Sequence, residues 1–529
     1  MKRVLKTLLG ILATLVVMAI GLILWMQTLP RDDGPDKRPQ YGTFSWEGQK
    51  PPRGGPEVRA DGYVKGSLGH DFILPPMAPV RKWDIATKEN IDKNAAIKTC
   101  FWPGGKGRSG LYTTDPDDFT IDNQFPDTGT TYGLTAFALP EGAKIVMKGK
   151  FPHERHWNFV TYLADGTPRD VADDLDINPD AGSFNPFRPG VRRDAEPRNY
   201  TLTITNGSIP SPRPANTLYT LSPANTSITL YMRNYVPDRS ADWTGGAGLP
   251  EVELHLADGK VLKGDEACAA TMTGMRGKQL AITVPKAIWL GLSSLPWRPA
   301  DRTPAKPFEV TTMARFYNRQ HLILDTFFPW LPSDFMAKDV GGFFANAATR
   351  YGLVYMSQAY GKVYVAHGKM PTTPSNWDGA ATPMVQNADM RYWSLCTATA
   401  GPVGLTPDCV HDEVVRPTLD DKGNFNVVVS RAPDRPANAT EKCGVVWMEY
   451  GNGDGIPGGS PNFGGILNRH TQVNPNFKHS WFAVNKPGTE QEVLGDYQVR
   501  VINMHEKARF EALGCPVDQS KLATMAGGK

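Results

Sequence analysis

The chain has 529 residues, with 57 Lys and Arg against 54 Asp and Glu and 40% hydrophobic residues. Three of the cations, Lys2, Arg3 and Lys6, stand at the extreme N-terminus, so the remainder is neutral; this excludes a disordered polyelectrolyte and a general nucleic-acid binder. The length exceeds one ordinary core, and 52 Gly with 45 Pro favour many short elements joined by turns over long helical bundles.

Residues 1–29 read as an N-terminal signal anchor. Leu8 to Met26 carries no charge and spans roughly 28 Å as a helix, the hydrocarbon thickness of a bilayer. No small-x-small cleavage site and no lipobox Cys follows, and Trp25 stands at the far end, where an indole favours the interface. The basic head keeps the N-terminus in the cytoplasm. The expectation is a single-pass protein of a bacterial inner membrane with a periplasmic or extracellular body and the lipid bilayer as partner of residues 8–26. Residues 30–60, rich in Pro, Gly and charge, form a flexible tether. Residues 61–129 form an N-terminal flank.

The body contains an internal duplication, assigned to 130–256 and 350–503. Thr131-Tyr132-Gly133-Leu134 returns as Arg350-Tyr351-Gly352-Leu353, and the Ala143–Pro152 run as Gly361–Pro371. Arg155-His156-Trp157-Asn158-Phe159 returns as Arg391-Tyr392-Trp393-Ser394-Leu395, after an insertion from Ser375 to Asp389. Asn199 to Ile204 returns as Asn424 to Val429, Pro223-Ala224-Asn225-Thr226 as Pro436-Ala437-Asn438-Ala439, and Thr229 to Met232 as Val445 to Met448. Alternating, β-branched or aromatic blocks between Pro/Asn/Asp/Gly loops are strand signatures. The chain is therefore expected to be mainly β, with two tandem antiparallel sandwich or jelly-roll-like repeats. Trp157 and Trp393 fall mid-strand and are assigned to the two cores.

The Tyr392-Trp393-Ser394 strand resembles a motif of uncharacterised bacterial exported proteins with β-domains of unknown function. So does the aromatic strand Ile228–Tyr235 leading to Gly245-Gly246-Ala247-Gly248-Leu249-Pro250. The resemblance covers both repeats, about half the chain. It implies a β-sandwich and export, and it brings no catalytic residues.

Within the first repeat, His153-Glu154-Arg155-His156 resembles a ligand cluster, but His156 matches Tyr392, and a surface turn entering a strand is the simpler reading. Asp174, Asp176, Asn178 and Asp180 alternate as a hard cation such as Ca²⁺ requires, although Pro179 and Asn185 exclude an EF-hand; the plain reading is a solvated turn. The connecting segment 257–349 holds two apolar stretches, Lys286–Trp297 and Leu322–Phe335, both too short to span a bilayer. Trp289, Trp297, Phe327, Phe328 and Trp330 either pack between domains or contact a membrane or partner. In the second repeat, Asp412 and Glu413 beside His411 offer acid–base groups, Asp173 aligns loosely with Asp412, and the Gly451–Gly455 loop is a turn. Residues 504–529 form a C-terminal tail.

Six cysteines include no C-x-x-C pair, and an even number outside the cytoplasm suggests disulfides. Cys396 and Cys409 end and restart strands across a Gly/Pro loop and are expected to pair. The sequence holds no G-x-S-x-G, P-loop or H-E-x-x-H and names no reaction. The preferred expectation is an anchored extracytoplasmic protein that binds a ligand or envelope partner. The alternative is an envelope hydrolase acting on glycan or lipid through carboxylates of the Asp170–Asp180 loop. A reporter fused after Lys529 should be active only outside the cytoplasm; cytoplasmic activity would reverse the assigned orientation.

Overall fold

Alternation of side chains sets which face of each strand is buried, and two matched aromatic pairs mark the result. Trp157 lies 5.0 Å from Tyr200, and Trp393 lies 4.9 Å from Phe425, ring centre to ring centre. The computed structural model describes residues 63–65, 71–73, 88–106, 125–164, 166–239, 241–273, 284, 286–298, 306–339, 344–377, 388–399 and 404–527. The expected anchor at 8–26 and tether at 30–60 lie outside them. Among the described residues no helix is long and apolar enough to cross a membrane.

The fold is mainly β. A two-stranded hairpin, β1 (Tyr63–Lys65) and β2 (Asp71–Ile73), comes first. The first repeat contains β3 (Gly105–Lys106), β4 (Thr130–Phe137), β5 (Lys144–Lys150), β6 (Glu154–Leu163) and β7 (Pro168–Asp173), then β8 (Asn199–Thr205), β9 (Thr217–Tyr219), β10 (Ile228–Pro237), β11 (Glu251–His255) and β12 (Val261–Lys263). These form two five-stranded sheets, ordered β3-β4-β10-β6-β7 and β12-β11-β5-β8-β9. The second repeat contains β13 (Val310–Thr312), β14 (Ala314–Phe316), β15 (Thr349–Ser357), β16 (Val363–Lys369) and β17 (Met390–Thr399), then β18 (Cys409–His411), β19 (Asn424–Ser430), β20 (Val446–Glu449), β21 (Phe463–Val473) and β22 (Arg500–Asn503). Its sheets run β14-β15-β21-β17-β18 and β13-β22-β16-β19-β20, the same order. Each pair of sheets encloses its own apolar core.

The ladders are antiparallel except for β8 with β9 and β19 with β20, which are parallel. One carboxylate secures each exception. Asp170 accepts from the backbone N–H of Val171 and of Tyr219; Asp408 accepts from those of Cys409 and Glu449. A short edge strand is thus tied to the other sheet by charge-assisted hydrogen bonds.

The matched glycine of Tyr132-Gly133-Leu134 and Tyr351-Gly352-Leu353 leaves room for a buried indole. A Cβ on Gly352 would stand 2.0 Å from the Trp481 ring, and one on Gly133 would stand 3.3 Å from that of Trp243. The register corrects two of the sequence matches. Arg233 faces Tyr132 on β4 as Arg469 faces Tyr351 on β15, so β10 corresponds to β21 and Thr229–Met232 does not correspond to Val445–Met448. The two Pro-Ala-Asn turns fall before β10 and before β20 and are not equivalent.

The segment between the repeats is not a separate linker. β12 extends the first repeat, and β13 and β14 join both sheets of the second. The disulfide Cys100–Cys268 ties the N-terminal flank to the first repeat, and Cys443–Cys515 ties the C-terminal tail to the second. Phe510, Val517 and Leu522 of that tail are buried in an apolar cluster with Val363, Val428 and Ile502. The expected Cys396–Cys409 bond is present, joining directly opposed residues of β17 and β18.

Trp157 and Trp393 are each 1% exposed, in separate cores. Truncation of either to Ala should cost about 3–5 kcal/mol. Denaturant unfolding of the full-length protein measures this, and a near-neutral effect at either position would remove that indole from its core role.

Candidate functional site

The opposite faces of β6 and β17 are also buried. His156, Asn158, Tyr392 and Ser394 are all inaccessible, because the two repeats pack against each other there. The cluster read as a surface turn is therefore the centre of this contact. Arg155 pairs with Asp412 at 2.7 Å and also with Glu413, while Arg391 pairs with Asp174 at 3.1 Å. Arg155 Nη1 donates to the Arg391 carbonyl at 3.2 Å, and Arg391 Nε donates to the Arg155 carbonyl at 3.1 Å. Reciprocal contacts of matched residues define an approximate twofold relation between the repeats. The ladders align Asn158 with Asp173 and Ser394 with His411, so Asp412 is the counterpart of Asp174, not of Asp173.

These carboxylates are occupied. Burial pushes Asp412 up, but Arg155 and His411 outweigh it and hold the carboxyl at about 2. Burial likewise pushes Asp174 up, and Arg391 with His156 brings it below the ordinary value. Burial raises Asp173, the partner of Asn158, to about 6. Asp176 is exposed, Asn178 accepts from Arg188 at 2.6 Å, and Asp180 accepts from Thr201 at 3.2 Å. Asp174, Asn178 and Asp180 thus take separate partners while Asp176 is exposed, and the three carboxylates do not converge on one point. Among the described residues, the metal-type group that does converge is Asp127, Cys396 and Cys409, whose sulfurs are already joined to each other.

The five aromatic residues of the middle segment divide. Trp289 and Phe327 are buried with Leu405, Ile456 and Phe463, and Trp289 Nε1 donates to Asp454 at 2.9 Å. Phe328 is half-buried, whereas Trp297 and Trp330 are 46% and 58% exposed and touch edge to face.

A cavity of about 70 Å³ opens at the same seam. One ordered water needs about 10–15 Å³ by a comparable measure, so there is space for a small organic group. Its wall is built from matched pairs: Phe125 and Phe344, Asp127 and Asn346, Tyr132 and Tyr351, Arg233 and Arg469. Tyr231, Tyr235, Phe316, Leu322, Leu353 and Leu467 make it largely apolar. Each phenylalanine reaches across to the other repeat. The Phe344 carbonyl accepts from Arg233 at 2.6 Å, the Phe125 carbonyl accepts from Arg469, and both phenylalanines have positive φ, 53° and 54°. The Asp127 N–H donates to Tyr132 at 2.8 Å and the Asn346 N–H to Tyr351 at 3.0 Å.

The symmetry breaks in charge. Arg469 has Asp127 at 3.6 Å, whereas the counterpart of that aspartate beside Arg233 is the neutral Asn346. Arg233 is 3% exposed, makes no ion pair among the described residues, and its Nη1 has no hydrogen-bond partner there. Its guanidinium lies 4.7 Å from the ring of Tyr231, 5.4 Å from Tyr162 and 5.8 Å from Tyr132. Such contacts contribute about 0.5–2 kcal/mol each. Removing an ion from water costs several kcal/mol, so the aromatic cage offsets only part of it. Burial would lower the Arg233 pKa, yet the surrounding tyrosines raise it above normal, so the group remains cationic. Burial pushes Tyr235 up to about 12, so that hydroxyl stays protonated.

Sequence reasoning missed this wall. The signal was present: Phe125, Asp127, Tyr132 and Gly133 recur at identical spacing as Phe344, Asn346, Tyr351 and Gly352. The repeat therefore begins before 130 and before 350.

No family model matches the chain, and no curated protein does. Among solved structures, the chain is similar to an uncharacterised protein from Burkholderia cenocepacia at 12% identity and a TM-score of 0.38, covering 80% of this chain and 86% of that one. It is also similar to a protein from Vibrio parahaemolyticus at 11% identity and a TM-score of 0.32, covering 72% and 90%.

Asp412→Asn should cost about 1–3 kcal/mol, because Arg155 loses one buried partner and keeps Glu413. The folded value of about 2 lies below an unfolded value near 3.9. The ionised Asp412 therefore stabilises fully above about pH 4, and that contribution is lost as pH falls towards 2. Acid unfolding of the full-length protein should show this limb, reduced in Asp412→Asn; equal pH dependence of the two proteins would exclude Asp412 as its source.

Proposed function

We propose that this chain is a membrane-anchored extracytoplasmic binding protein whose small-molecule site is the cavity between its two β-repeats. The observation that carries this is the cavity wall: matched residues of both repeats enclose an apolar space with few polar groups, the usual make-up of a ligand pocket. Three disulfides favour an oxidising compartment, in line with export. Anchoring through residues 8–26 rests on the apolar length of that segment. Exposure of Trp297 and Trp330 supports a membrane or envelope-protein contact at those two positions, while Trp289 and Phe327 serve the core. Asp170 and Asp174 of the Asp170–Asp180 loop are committed to strand pairing and to the seam, and Asp408 repeats the first role in the second repeat.

Full-length protein should be stabilised in thermal unfolding by at least one of benzyl alcohol, indole, benzoate or hexanoate. A ligand bound only by the folded state adds about 2.7 kcal/mol at a hundredfold excess over Kd. Leu467→Trp, which fills the cavity, should abolish the shift. No shift with any of the four compounds in the unsubstituted protein would overturn the assignment of the cavity as a ligand site.

A further inference from the structure

We infer that the cavity takes a small monocarboxylate with an apolar or aromatic body, and that the carboxylate pairs with Arg233. This deepens the reading of the cavity as a ligand site and rests on it.

The argument starts from the charge count at the cavity wall. Two guanidinium groups, of Arg233 and Arg469, face one carboxylate, of Asp127. Asp127 is fully engaged: it accepts from Ser394 Oγ at 2.6 Å and from the Gly129 N–H at 2.9 Å, and it stands 3.6 Å from Arg469. The surplus is therefore one positive charge, and it resides on Arg233. That side chain is buried; among the described residues its Nη1 has no hydrogen-bond partner, and it is faced by the Phe344 carbonyl, by tyrosine rings and by the Tyr162 hydroxyl. A planar guanidinium with a free N–H matches a carboxylate in charge and in shape. A ligand with two negative charges would leave one uncompensated and would be repelled by Asp127. The apolar and aromatic walls then favour a body such as a phenyl ring or a short alkyl chain.

The second repeat shows what a satisfied version of this site looks like. At the matched position the protein supplies its own carboxylate, Asp127, to Arg469. Asn346 stands where the first site lacks one, donating to Tyr235 at 2.7 Å and accepting from Asn158 at 2.8 Å. Asn346→Asp should therefore place a carboxylate next to Arg233 and occupy the ligand's role from within.

Calorimetric titration of the full-length protein with benzoate and hexanoate, against the equally shaped benzamide and hexanamide, tests the assignment. Each acid should bind about tenfold or more tightly than its amide. Arg233→Met should remove that preference, and Arg233→Lys should retain part of it. Asn346→Asp should abolish binding of the acids while raising the melting temperature, an outcome that misfolding would not produce. Should the amides bind as well as the acids, the carboxylate inference is overturned and the cavity remains a ligand site. Should neither acid nor amide bind the unsubstituted protein, the carboxylate inference is overturned, and the cavity reading falls with it only if benzyl alcohol and indole also give no thermal shift.

Discussion

The body of this protein depends on one reciprocal contact: Arg155 of the first repeat on Asp412 of the second, and Arg391 of the second on Asp174 of the first. Each arginine also donates to the other's carbonyl, so the two central strands are fixed crosswise. Four charged groups are removed from water here, which is favourable only because each has a partner and further hydrogen bonds. Such a contact adds little net stability but discriminates strongly against a shifted packing, since any slip would leave a buried charge alone. The described residues of both repeats belong to one compact unit, although they contain two cores.

The cavity follows from that packing. With β6 against β17, residues of β4 and β10 and of β15 and β21 line the same cavity. The phenylalanines at 125 and 344 are exchanged across the seam, each carbonyl taken by the other repeat's arginine. A duplicated fold would be expected to compensate both arginines alike. It compensates one, through Asp127, and leaves the other among tyrosine rings. The difference lies in one side chain, Asp127 at one of the matched positions and the neutral Asn346 at the other.

The carboxylates that looked chemically interesting in the chain prove to be architectural. Asp170 and Asp408 occupy matched positions and do the same thing, each accepting from one backbone N–H of a parallel edge strand and from that of its own next residue. Asp174 and Asp412 also match and hold the seam. A role found twice, at equivalent positions in two cores, belongs to the fold. Two pairs that differ between equivalent positions, Asp127 against Asn346 and Tyr231 against Leu467, line the cavity.

Local pattern carried the strands, the duplication and the Cys396–Cys409 bond, because strand periodicity and short loops act over a few residues. The alternation around Trp157 and Trp393 was sufficient to place both indoles in cores. It was not sufficient to show that His156, Asn158, Tyr392 and Ser394 are buried as well, since a polar outer face reads the same whether it meets water or a second repeat. The metal-like spacing of Asp174 to Asp180 was misleading for a related reason: alternate oxygens form a cage only if the backbone curls them together, and here Asp174 is drawn away by an arginine 217 residues distant. The disulfides Cys100–Cys268 and Cys443–Cys515 join residues 168 and 72 positions apart, beyond any local signal. The sequence by itself thus determined the elements and their repetition, which arise from neighbouring side chains. The seam, the cavity and an Arg233 without an ion pair among the described residues depend on which faces meet, and only tertiary packing decided that.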